Sequence, residues 1–461
     1  MATTRGREKT DRREFLKESA GSLGALALGA TVLPAATQEH APPSVMDVVR
    51  LGVVGVGSRG GTLVQWLLRL QETHRVQIAA VCDLWERRRE QAAEKIERST
   101  GMRPAVCRTP AELFARNDVD GVLIATPDFQ HCYLAAQAAL AGKDVYVEKP
   151  FGCDFDQVRA AREILAKSDR IVQLGVQSRG AGKYYEAARF IQSGKLGQVT
   201  YVDVCEPICQ QRWRIPQAEL ALNESDIDWS EFLAYLPCDT PFSSRHYREF
   251  RLFWPYSSGP FCQWMSHRID LVNLILGEIP TSAVALGGVY LWKDGRNNPD
   301  TVQCLLEYPQ GVLVNYHMRM GNSQHGRGMT IYGTCGTLEV DAGLAYGDGG
   351  GGMVIASDPI EGTPTYEVDK TKLLRMKREG GVRLPVAEDI DYLGHFIDCM
   401  RTRQTPRGDL DAAYGQSVAT ILAARAHREG CKMVHDPFSR TMVAASSTRV
   451  VARELPGLEL R

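Results

Sequence analysis

The sequence has no excess of either charge and none of the cysteine spacings that bind zinc. Of its 461 residues, 54 are Lys or Arg and 55 are Asp or Glu, so no global field attracts nucleic acid or an anionic membrane. The twelve cysteines include no Cys-x-x-Cys pair and predict neither a metal site nor a disulfide framework. We expect most of them to be buried thiols, with a structural disulfide as the alternative. The composition therefore favours small-molecule partners and no nucleic acid.

A strongly apolar run at the N-terminus is also missing. Residues 19–36 are only mildly apolar, too weak for a stable membrane span. They follow "TDRREFLK" (Thr10–Lys17), whose paired arginines before Phe and Leu are typical of a twin-arginine export signal. The alternative is a short buried helix with a basic start. We predict a signal region over residues 1–37, a linker over residues 38–47, and a periplasmic or other extracytoplasmic location.

From residue 48 onward, short β-rich runs alternate with helical stretches. The strand-like "VVRLGVVG" is followed by "GVGSRG", a helical segment, and a second strand that ends on an aspartate. This order fits the G-x-G-x-x-G dinucleotide motif, in which the glycines allow a tight turn, close approach of a pyrophosphate, and helix–strand packing. The motif predicts NAD as the cofactor, with NADP possible. The residues expected to hold it are Gly55, Gly57, Ser58, Arg59, Gly60 and Asp83.

The charge that follows the second strand bears on the choice of cofactor. Asp83, 23 residues beyond Gly60, would accept hydrogen bonds from the ribose hydroxyls and repel a 2′-phosphate. Arg87, Arg88 and Arg89 come soon after and weaken that preference. The sequence favours a solvated helix face for the three arginines and leaves a phosphate contact as the alternative.

Two further polar motifs follow later strands. In "ATPDFQH" the candidates are Thr126, Pro127 and His131, and in "DVYVEKPFG" a strand ends on Glu148 and Lys149. Ligands of a doubly wound sheet bind at the carboxyl ends of its strands, so both motifs are expected near the cofactor. The glycine-rich start, the ATP-x-x-x-H turn and "EKP" together resemble the Gfo/Idh/MocA family of glucose-fructose oxidoreductases and inositol dehydrogenases.

That resemblance covers about residues 48–440 and implies an α/β fold with two domains. Residues 48–172 would form an N-terminal Rossmann doubly wound parallel sheet. Residues 173–440 would form a C-terminal α+β domain with a large open, mostly antiparallel sheet, leaving residues 441–461 as a tail. The family's sheet often mediates oligomerisation, so a homo-oligomer, dimer or tetramer, is expected.

The resemblance also implies roles for the residues at the strand ends. Lys149 would hydrogen-bond the reacting hydroxyl, Glu148 would orient or neutralise it, and Glu148, Thr126, Pro127 and His131 would contact the cofactor. Burial and a positive nicotinamide would lower the pKa of Lys149 and permit proton transfer near neutral pH. The Lys-Pro peptide is a candidate for a cis bond. The alternative for Lys149 is an ion pair with Glu148 at a strand end.

The family's second signature is a glycine turn followed by an aspartate four residues before a histidine. In "SSGPFCQWMSHRID", Gly259 aligns with the turn, His267 with the catalytic histidine and Asp270 with the acid after it, but Gln263 occupies the aspartate position. Gln263 cannot carry a proton, yet helical spacing would let it orient His267 or touch a substrate hydroxyl. The alternative for His267 is a capping or core histidine. Replacing Gln263 by Asp is expected to increase activity with free NAD.

Other polar and aromatic residues are candidates for a sugar site, with core or interface packing as an equal alternative. These are Gln177, Trp213, Arg214 and Tyr316. "PDTVQCLLEYPQGVLVNYHM" predicts a β-hairpin turned at "PQG", and "YGDGGGGM" (Tyr346–Met353) predicts a surface loop.

These features together predict an exported NAD(P)-dependent oxidoreductase acting on a sugar, polyol or glycoside. Because there is no free NAD pool outside the cytoplasm, the cofactor is expected to stay bound and be recycled. The first alternative is an NAD-dependent glycosidase or lyase that works through transient oxidation. The second is a non-catalytic nucleotide-binding protein, against which the presence of both Lys149 and His267 argues.

Overall fold

The computed structural model describes residues 47–236, 238–346, 354–355, 366–367 and 382–445. The predicted export signal and all but the last residue of the predicted linker lie outside these ranges, as do residues 347–353 of the predicted glycine-rich loop. No helix within the described ranges combines the length and apolarity needed to cross a bilayer.

The first domain is built on a parallel sheet of six strands in the described part of the chain. The strands are β1 (Val49–Val54), β2 (Val76–Cys82), β3 (Ala105–Cys107), β4 (Gly121–Ile124), β5 (Asp144–Glu148) and β6 (Val172–Gly175), in the order β3-β2-β1-β4-β5-β6. The helices are α1 (Ser58–Leu70), α2 (Glu86–Thr100), α3 (Pro110–Phe114), α4 (His131–Leu140) and α5 (Phe155–Lys167). The strand order reverses between β1 and β4, where a ligand crevice is expected. The predicted Rossmann sheet is confirmed.

The second domain is a mixed and mostly antiparallel sheet. Its strands are β7 (Val199–Pro207), β8 (Ser282–Gly288), β9 (Thr301–Tyr308), β10 (Val312–Arg319), β11 (Gly328–Gly333), β12 (Gly336–Glu339), β13 (Leu344–Tyr346), β16 (Val382–Arg383), β17 (Met433–Asp436) and β18 (Thr441–Ala444); β14 (Val354–Ile355) and β15 (Tyr366–Glu367) pair separately. The order is β16-β13-β12-β11-β7-β10-β9-β8-β17-β18, with β7 and β10 parallel. The predicted hairpin is confirmed as β9 and β10, turned where Gly311 has φ +77°.

Among the described residues, six α-helices follow the first domain along the chain. They are α6 (Gly182–Gln192), α7 (Trp229–Leu233), α8 (Ser244–Arg248), α9 (Ser266–Leu276), α10 (Tyr392–Thr402) and α11 (Leu410–Glu429). Helix α11 packs on strands β8, β9 and β17 of the open sheet. In β9, Val302, Cys304, Leu306 and Tyr308 are buried while the residues between them are more exposed. This period of two is expected for a sheet packed on one face. A π-helical turn, Phe261–Met265, leads directly into α9.

The domain limits differ from the predicted ones at three places. The Rossmann sheet runs through Gly175, past the predicted end at residue 172. Helix α10, far along the chain, packs on this first domain, where Phe396 meets Tyr146 with ring centroids 5.7 Å apart. The predicted tail begins inside the second sheet, because β18 pairs with β17. The sequence predicts these boundaries poorly, because segments near the C-terminus pack against elements formed much earlier in the chain.

Candidate active site

The turn between β1 and α1 has the geometry of a dinucleotide-binding loop. Gly55 has φ +81°, and a Cβ on Gly60 would lie only 1.8 Å from the Gly55 carbonyl oxygen. Both positions therefore require glycine. Gly57 is the N-cap of α1 and offers no side chain to bond the first amides. Those N–H groups and the positive end of the helix dipole stay available for an anion, as the sequence predicted.

Asp83 lies at the end of β2, where the motif places it, but its carboxylate already has protein partners. It accepts hydrogen bonds from the backbone N–H groups of Val56 and Trp85, both at 3.0 Å, and from the Tyr247 hydroxyl at 3.3 Å. Asp83 thus joins the turn after β1 and the turn after β2 to helix α8 of the second domain. It remains on the wall of the cleft, where ribose hydroxyls would meet it.

The arginines after Asp83 do not form one solvated face. Arg87 is exposed, as favoured by the sequence, whereas Arg88 lines the cleft, and its Nη1 lies 3.3 Å from where a Cβ on Gly57 would be. Arg89 is buried and donates to the Asp83 carbonyl oxygen at 3.2 Å. The expectation that Arg88 and Arg89 lie on a solvated helix face is wrong, because the start of α2 directs both side chains toward the end of β2 and the cleft. Arg88 stands where a phosphate near the adenosine ribose could be bound.

Both domains contribute walls to a cleft of about 330 Å³ beside these loops. The first domain supplies the predicted Gly55, Gly57, Ser58, Arg59, Asp83, Thr126 and Pro127, and the second supplies the predicted Trp213 and Arg214 together with Tyr247–Arg251. Among the described residues, three buried polar atoms of this lining lack a hydrogen-bond partner: Arg59 Nη2, Thr126 Oγ1 and Arg248 Nε. Buried polar groups are normally paired. Two guanidinium groups, a hydroxyl and free helix amides therefore fit an anionic dinucleotide.

Glu148 faces the cofactor loop and not Lys149. Its carboxylate accepts from Arg59 Nε at 2.7 Å and from Gln177 Nε2 at 3.2 Å. Successive residues of a strand point to opposite sides, so Glu148 and Lys149 at the tip of β5 diverge. Within the described ranges Glu148 forms no ion pair with Lys149, and it acts on the lysine as a nearby charge that raises its pKa against burial. Gln177 was predicted to touch the substrate. Its Nε2 donates instead to the Glu148 carboxylate and to the Tyr146 hydroxyl, the latter at 2.9 Å.

Lys149 points toward the second domain. Its Nζ donates to the Gln263 backbone oxygen at 3.1 Å and approaches Gln263 Oε1 at 3.4 Å. Burial lowers the pKa of this half-buried amine, against the opposing charges of Asp128 and Glu148. The following peptide, Lys149–Pro150, is cis, as the sequence suggested. Lys149 is not part of the cleft lining, but Gln263 connects it to Arg251, which is. A lysine of lowered pKa can accept a proton from a hydroxyl group.

Gln263 connects Lys149 to a carboxylate that the sequence did not single out. Its Nε2 donates to both oxygens of Asp128, at 2.7 and 2.6 Å, while its Oε1 accepts from Arg251 Nε at 3.0 Å. Asp128 is 2% exposed and also accepts from Ser257 Oγ at 2.6 Å. These donors fix which end of the amide faces Lys149. An ionisable group missing at position 263 is therefore present in the first domain.

His267 lies at the start of α9, beyond the π-helical turn. Burial, followed by the charges of Lys149 and Arg59, holds the pKa of His267 well below its usual value. The ring is therefore neutral at pH 7 and can accept a hydrogen bond or a proton. Gln263 does not hydrogen-bond this ring in the described structure, contrary to expectation. The π-helical turn has more residues per turn than an α-helix, which displaces Gln263 from the face predicted by a spacing of four.

Eight predicted site residues lie outside the cleft lining: Gly60, Glu148, Lys149, Gln177, Gln263 and His267, described above, and also His131 and Tyr316. His131 is buried, and its ring nitrogens lie 2.7 Å from the Pro150 oxygen and 2.8 Å from the Thr126 oxygen, so it joins the two motifs without reaching the cofactor. Tyr316 is fully buried on the inward face of β10, where burial raises the pKa of its hydroxyl well above the usual value. Neither side chain is placed to contact a ligand in the cleft.

Two further aligned residues are structural. Gly259 has φ +59°, and a Cβ there would lie 2.8 Å from Asn298 Cβ, so this turn also requires glycine. Asp270 is fully buried and forms a bidentate ion pair with Arg179, with nitrogen–oxygen distances of 2.7 and 3.0 Å. That pair ties α9 to the segment after β6.

Family comparisons agree with this arrangement. Residues 49–176 match the model of the Gfo/Idh/MocA oxidoreductase family with an NAD-binding Rossmann fold, and residues 233–339 match the model of its C-terminal domain. The chain belongs to the Gfo/Idh/MocA family. Its first domain is accordingly an NAD-binding Rossmann domain, and the residues that would hold NAD are those of the cleft wall described above. The NAD-binding description of the family model agrees with the cofactor predicted from the sequence.

Individual relatives span different parts of this Gfo/Idh/MocA chain. A glycosyl hydrolase family 109 protein of Shewanella baltica is 25% identical over 224 residues, covering 45% of this chain and 48% of the relative. The match thus spans about half the length of that curated relative. Inositol 2-dehydrogenase of Rhizobium meliloti is 24% identical over 310 residues, covering 65% of this chain and 80% of the relative.

Solved structures of similar fold extend over most of the chain. The WlbA dehydrogenase of Bordetella pertussis, solved with NADH and UDP-GlcNAcA, superposes with a TM-score of 0.60 at 18% identity, covering 86% of this chain and 99% of the neighbour. At this identity the likeness shows the fold alone.

Proposed function

We propose that this protein is an NAD-dependent oxidoreductase that acts on a CH–OH group of a sugar, polyol or glycoside. The observation that carries the proposal is Lys149, a half-buried lysine whose pKa is lowered by burial and whose Nζ is held by Gln263 at the carboxyl end of the Rossmann sheet. Related inositol 2-dehydrogenase and glycosyl hydrolase family 109 sequences support a carbohydrate substrate.

Lys149 and His267 divide the proton chemistry in this proposal. The neutral amine of Lys149 removes the hydroxyl proton as the carbon is oxidised, and returns it in the reverse direction. His267 has a strongly lowered pKa and therefore accepts a hydrogen bond from a neighbouring substrate hydroxyl. NAD, when bound, supplies the site that accepts and returns hydride.

The shape of the cleft supports a cofactor that stays bound. Trp213, Arg214 and the segment Tyr247–Arg251 of the second domain face the glycine turn of the first. Release of a dinucleotide from between two domains requires that these contacts open. A retained cofactor suits a protein exported through the twin-arginine signal of residues 1–37, which is part of this proposal, as is a homo-oligomer formed through the open sheet.

A second candidate is a redox-neutral glycosidase or lyase. Transient oxidation of the sugar acidifies a neighbouring C–H bond, and elimination releases the aglycone. In a glycosidase water then adds to the resulting double bond, in a lyase it does not, and the returned hydride leaves no net change in cofactor. Two observations favour it: the several glycosyl hydrolase family 109 relatives, and the non-ionisable Gln263 beside Lys149. In this reaction Gln263 has to keep Lys149 in position through two hydride transfers in opposite directions.

One experiment separates the candidates. The purified protein is scanned near 260 and 340 nm before and after addition of sugars and glycosides, with a Lys149→Met variant as control. Absorbance at 340 nm that rises with one sugar and falls with a second supports redox exchange. Aglycone release without a lasting change at 340 nm supports the glycosidase. A Lys149→Met protein that turns over as fast as wild type would contradict the role given to Lys149 in both reactions. A Lys149→Met protein that keeps its full biological effect would revive the non-catalytic nucleotide-binding protein.

A further inference from the structure

Two thiols meet across the domain boundary directly beside the Lys149–Gln263 contact. Cys153 Sγ lies 3.1 Å from Cys262 Sγ. Cys153 follows Lys149 by four residues in the first domain, and Cys262 immediately precedes Gln263 in the π-helical turn of the second. All twelve cysteines fall within the described ranges and are free thiols there. No part of the proposed hydride chemistry uses this pair.

The same thiols also belong to a group with the composition of a metal site. The ligand atoms of Asp128, Cys153 and Cys262 lie within 4.8 Å of one another. Two thiolates bound tetrahedrally to zinc at about 2.3 Å would stand roughly 3.75 Å apart, farther than these sulfurs. The Asp128 carboxylate is already occupied by Gln263 and Ser257, and a metal would have to displace those donors. The geometry therefore points away from zinc.

A disulfide requires a smaller change. The sulfurs must approach by about 1 Å to reach the bonded distance of roughly 2.05 Å. Cys262 is buried and Cys153 is partly exposed, so a small disulfide reagent has access to one member of the pair. The Ser258 hydroxyl, 2.7 Å from Cys262 Sγ, adds a donor that stabilises negative charge on that sulfur when it attacks or leaves.

We propose that Cys153 and Cys262 form a disulfide that ties the two domains together beside the lysine of the active site. A disulfide compound is the oxidant. A Cys153 thiolate attacks one sulfur of the compound and expels a thiolate, and Cys262 then attacks the mixed disulfide and expels the second. Two protons leave, one S–S bond is broken and one is formed, and the oxidant is reduced to two thiols.

The surroundings set the rate of this reaction. The hydrogen bond to Cys262, together with burial, raises the pKa of Cys153 well above its usual value. Little thiolate is present at neutral pH, so exchange in the folded protein is slow and the bond, once made, resists reduction. The pair therefore behaves as a durable cross-link and not as a fast sensor. The cross-link does not depend on which reaction the protein catalyses.

The test is peptide mapping of the full-length protein. After incubation with oxidised glutathione, remaining thiols are alkylated and the protein is digested without reduction. We expect a linked pair of peptides containing Cys153 and Cys262, and two fewer alkylated cysteines than in the protein treated with reductant. Cys153→Ser should abolish the linkage and leave Cys262 alkylated. Cys431→Ser, which removes another partly exposed thiol, should leave the linkage intact.

A second readout examines what the bond ties. Because the closed loop exceeds 100 residues, the oxidised protein should melt about 5 °C or more above the reduced protein. Failure of wild type to form the linked peptides would overturn the proposal, as would a stable glutathione adduct on one cysteine alone. Zinc that copurifies at about one equivalent, protects both thiols and is lost in Cys153→Ser would also overturn it, in favour of a metal site. A Cys153–Cys262 disulfide that leaves the melting temperature unchanged would refute the proposal that the bond ties the two domains together.

Discussion

The replacement Asp128→Asn tests the least expected feature of the site, a carboxylate that reaches Lys149 through an amide. Asp128 accepts from Ser257 Oγ and from Gln263 Nε2, and Gln263 in turn presents Oε1 to Lys149 and Arg251. Asparagine keeps one acceptor oxygen and introduces an NH₂ group that faces these donors. The Gln263 amide is then expected to rotate and turn its own NH₂ toward two cationic groups.

The size of the effect follows from the bonds that are lost. A hydrogen bond to a charged group contributes roughly 1.5–3 kcal/mol, and about 1.4 kcal/mol corresponds to a tenfold change in rate. Losing one such bond to the aligned amide should reduce kcat about 10- to 100-fold. The charge of Asp128 also raises the pKa of Lys149 in opposition to burial. Without it, the pH at which Lys149 loses its proton, and with it the acid limb of kcat/KM, should move lower.

The assay is turnover on the substrate found by the absorbance screen, measured from pH 5 to 10 with retained NAD. Ser257→Ala is the matched control, because it removes one donor to Asp128 and leaves the carboxylate. It should lower kcat less than the Asp128 variant and leave the pH profile in place. The double variant Asp128→Asn with Gln263→Asp returns a carboxylate beside Lys149 and should recover at least tenfold of the lost kcat.

Gln263→Asp alone is expected to be less active than wild type, which reverses the expectation from the sequence. It would bury a second carboxylate against Asp128, and like charges at this separation oppose each other. The reasoning is refuted if Asp128→Asn folds normally by near-ultraviolet circular dichroism yet keeps both kcat and the pH profile of wild type.

Three further predictions concern the lysine and the cofactor loop. Lys149→Met should lower kcat about 10²- to 10⁴-fold while NAD, measured by its absorbance after denaturation, is retained; in wild type, activity should fall as pH drops below the lowered pKa of Lys149. Gly60→Ala should destabilise the protein by about 1–3 kcal/mol in urea unfolding, because its Cβ would overlap a carbonyl oxygen, whereas Gly61→Ala, whose Cβ meets nothing nearer than 3.9 Å, should not. Arg88→Ala should weaken NADP about 10-fold or more and NAD less, with exposed Arg87→Ala as control; equal losses for both cofactors in calorimetry would contradict a phosphate contact.

The cofactor half of the site could be predicted because its signals are local. Gly55, Gly57 and Gly60 stand within six residues, and Gly55 and Gly60 are required by backbone contacts inside the same turn or with a neighbouring strand. The strand that follows delivers Asp83 to the same edge of the sheet by a regular crossover. Residues whose roles are fixed by one βαβ unit are therefore visible in the sequence.

The Lys149 half depends on contacts between distant segments, which leave no spacing to find. Asp128 lies inside the quoted "TPD" motif, yet its partners Ser257 and Gln263 are 129 and 135 residues away. A carboxylate between Pro127 and a phenylalanine was the only available signal. The prediction that Tyr316 lines a sugar site was wrong for a different reason. The alternation of β10 places Tyr316 on the inward face of the strand with its apolar neighbours.

The divergence of Glu148 and Lys149 explains why a core strand ends on two opposite charges. At the tip of β5 the glutamate pairs with Arg59 on the cofactor loop, and the lysine reaches Gln263 in the other domain. Each side chain thus has its hydrogen-bond partners on a different element, and the two interact only as nearby charges. Lys149 Nζ is hydrogen-bonded by Gln263 of the second domain and its pKa is raised by the nearby Asp128 charge, so its protonation depends on the position of the second domain. A substrate or bond that shifts the π-helical turn will consequently change the basicity of Lys149 without touching it.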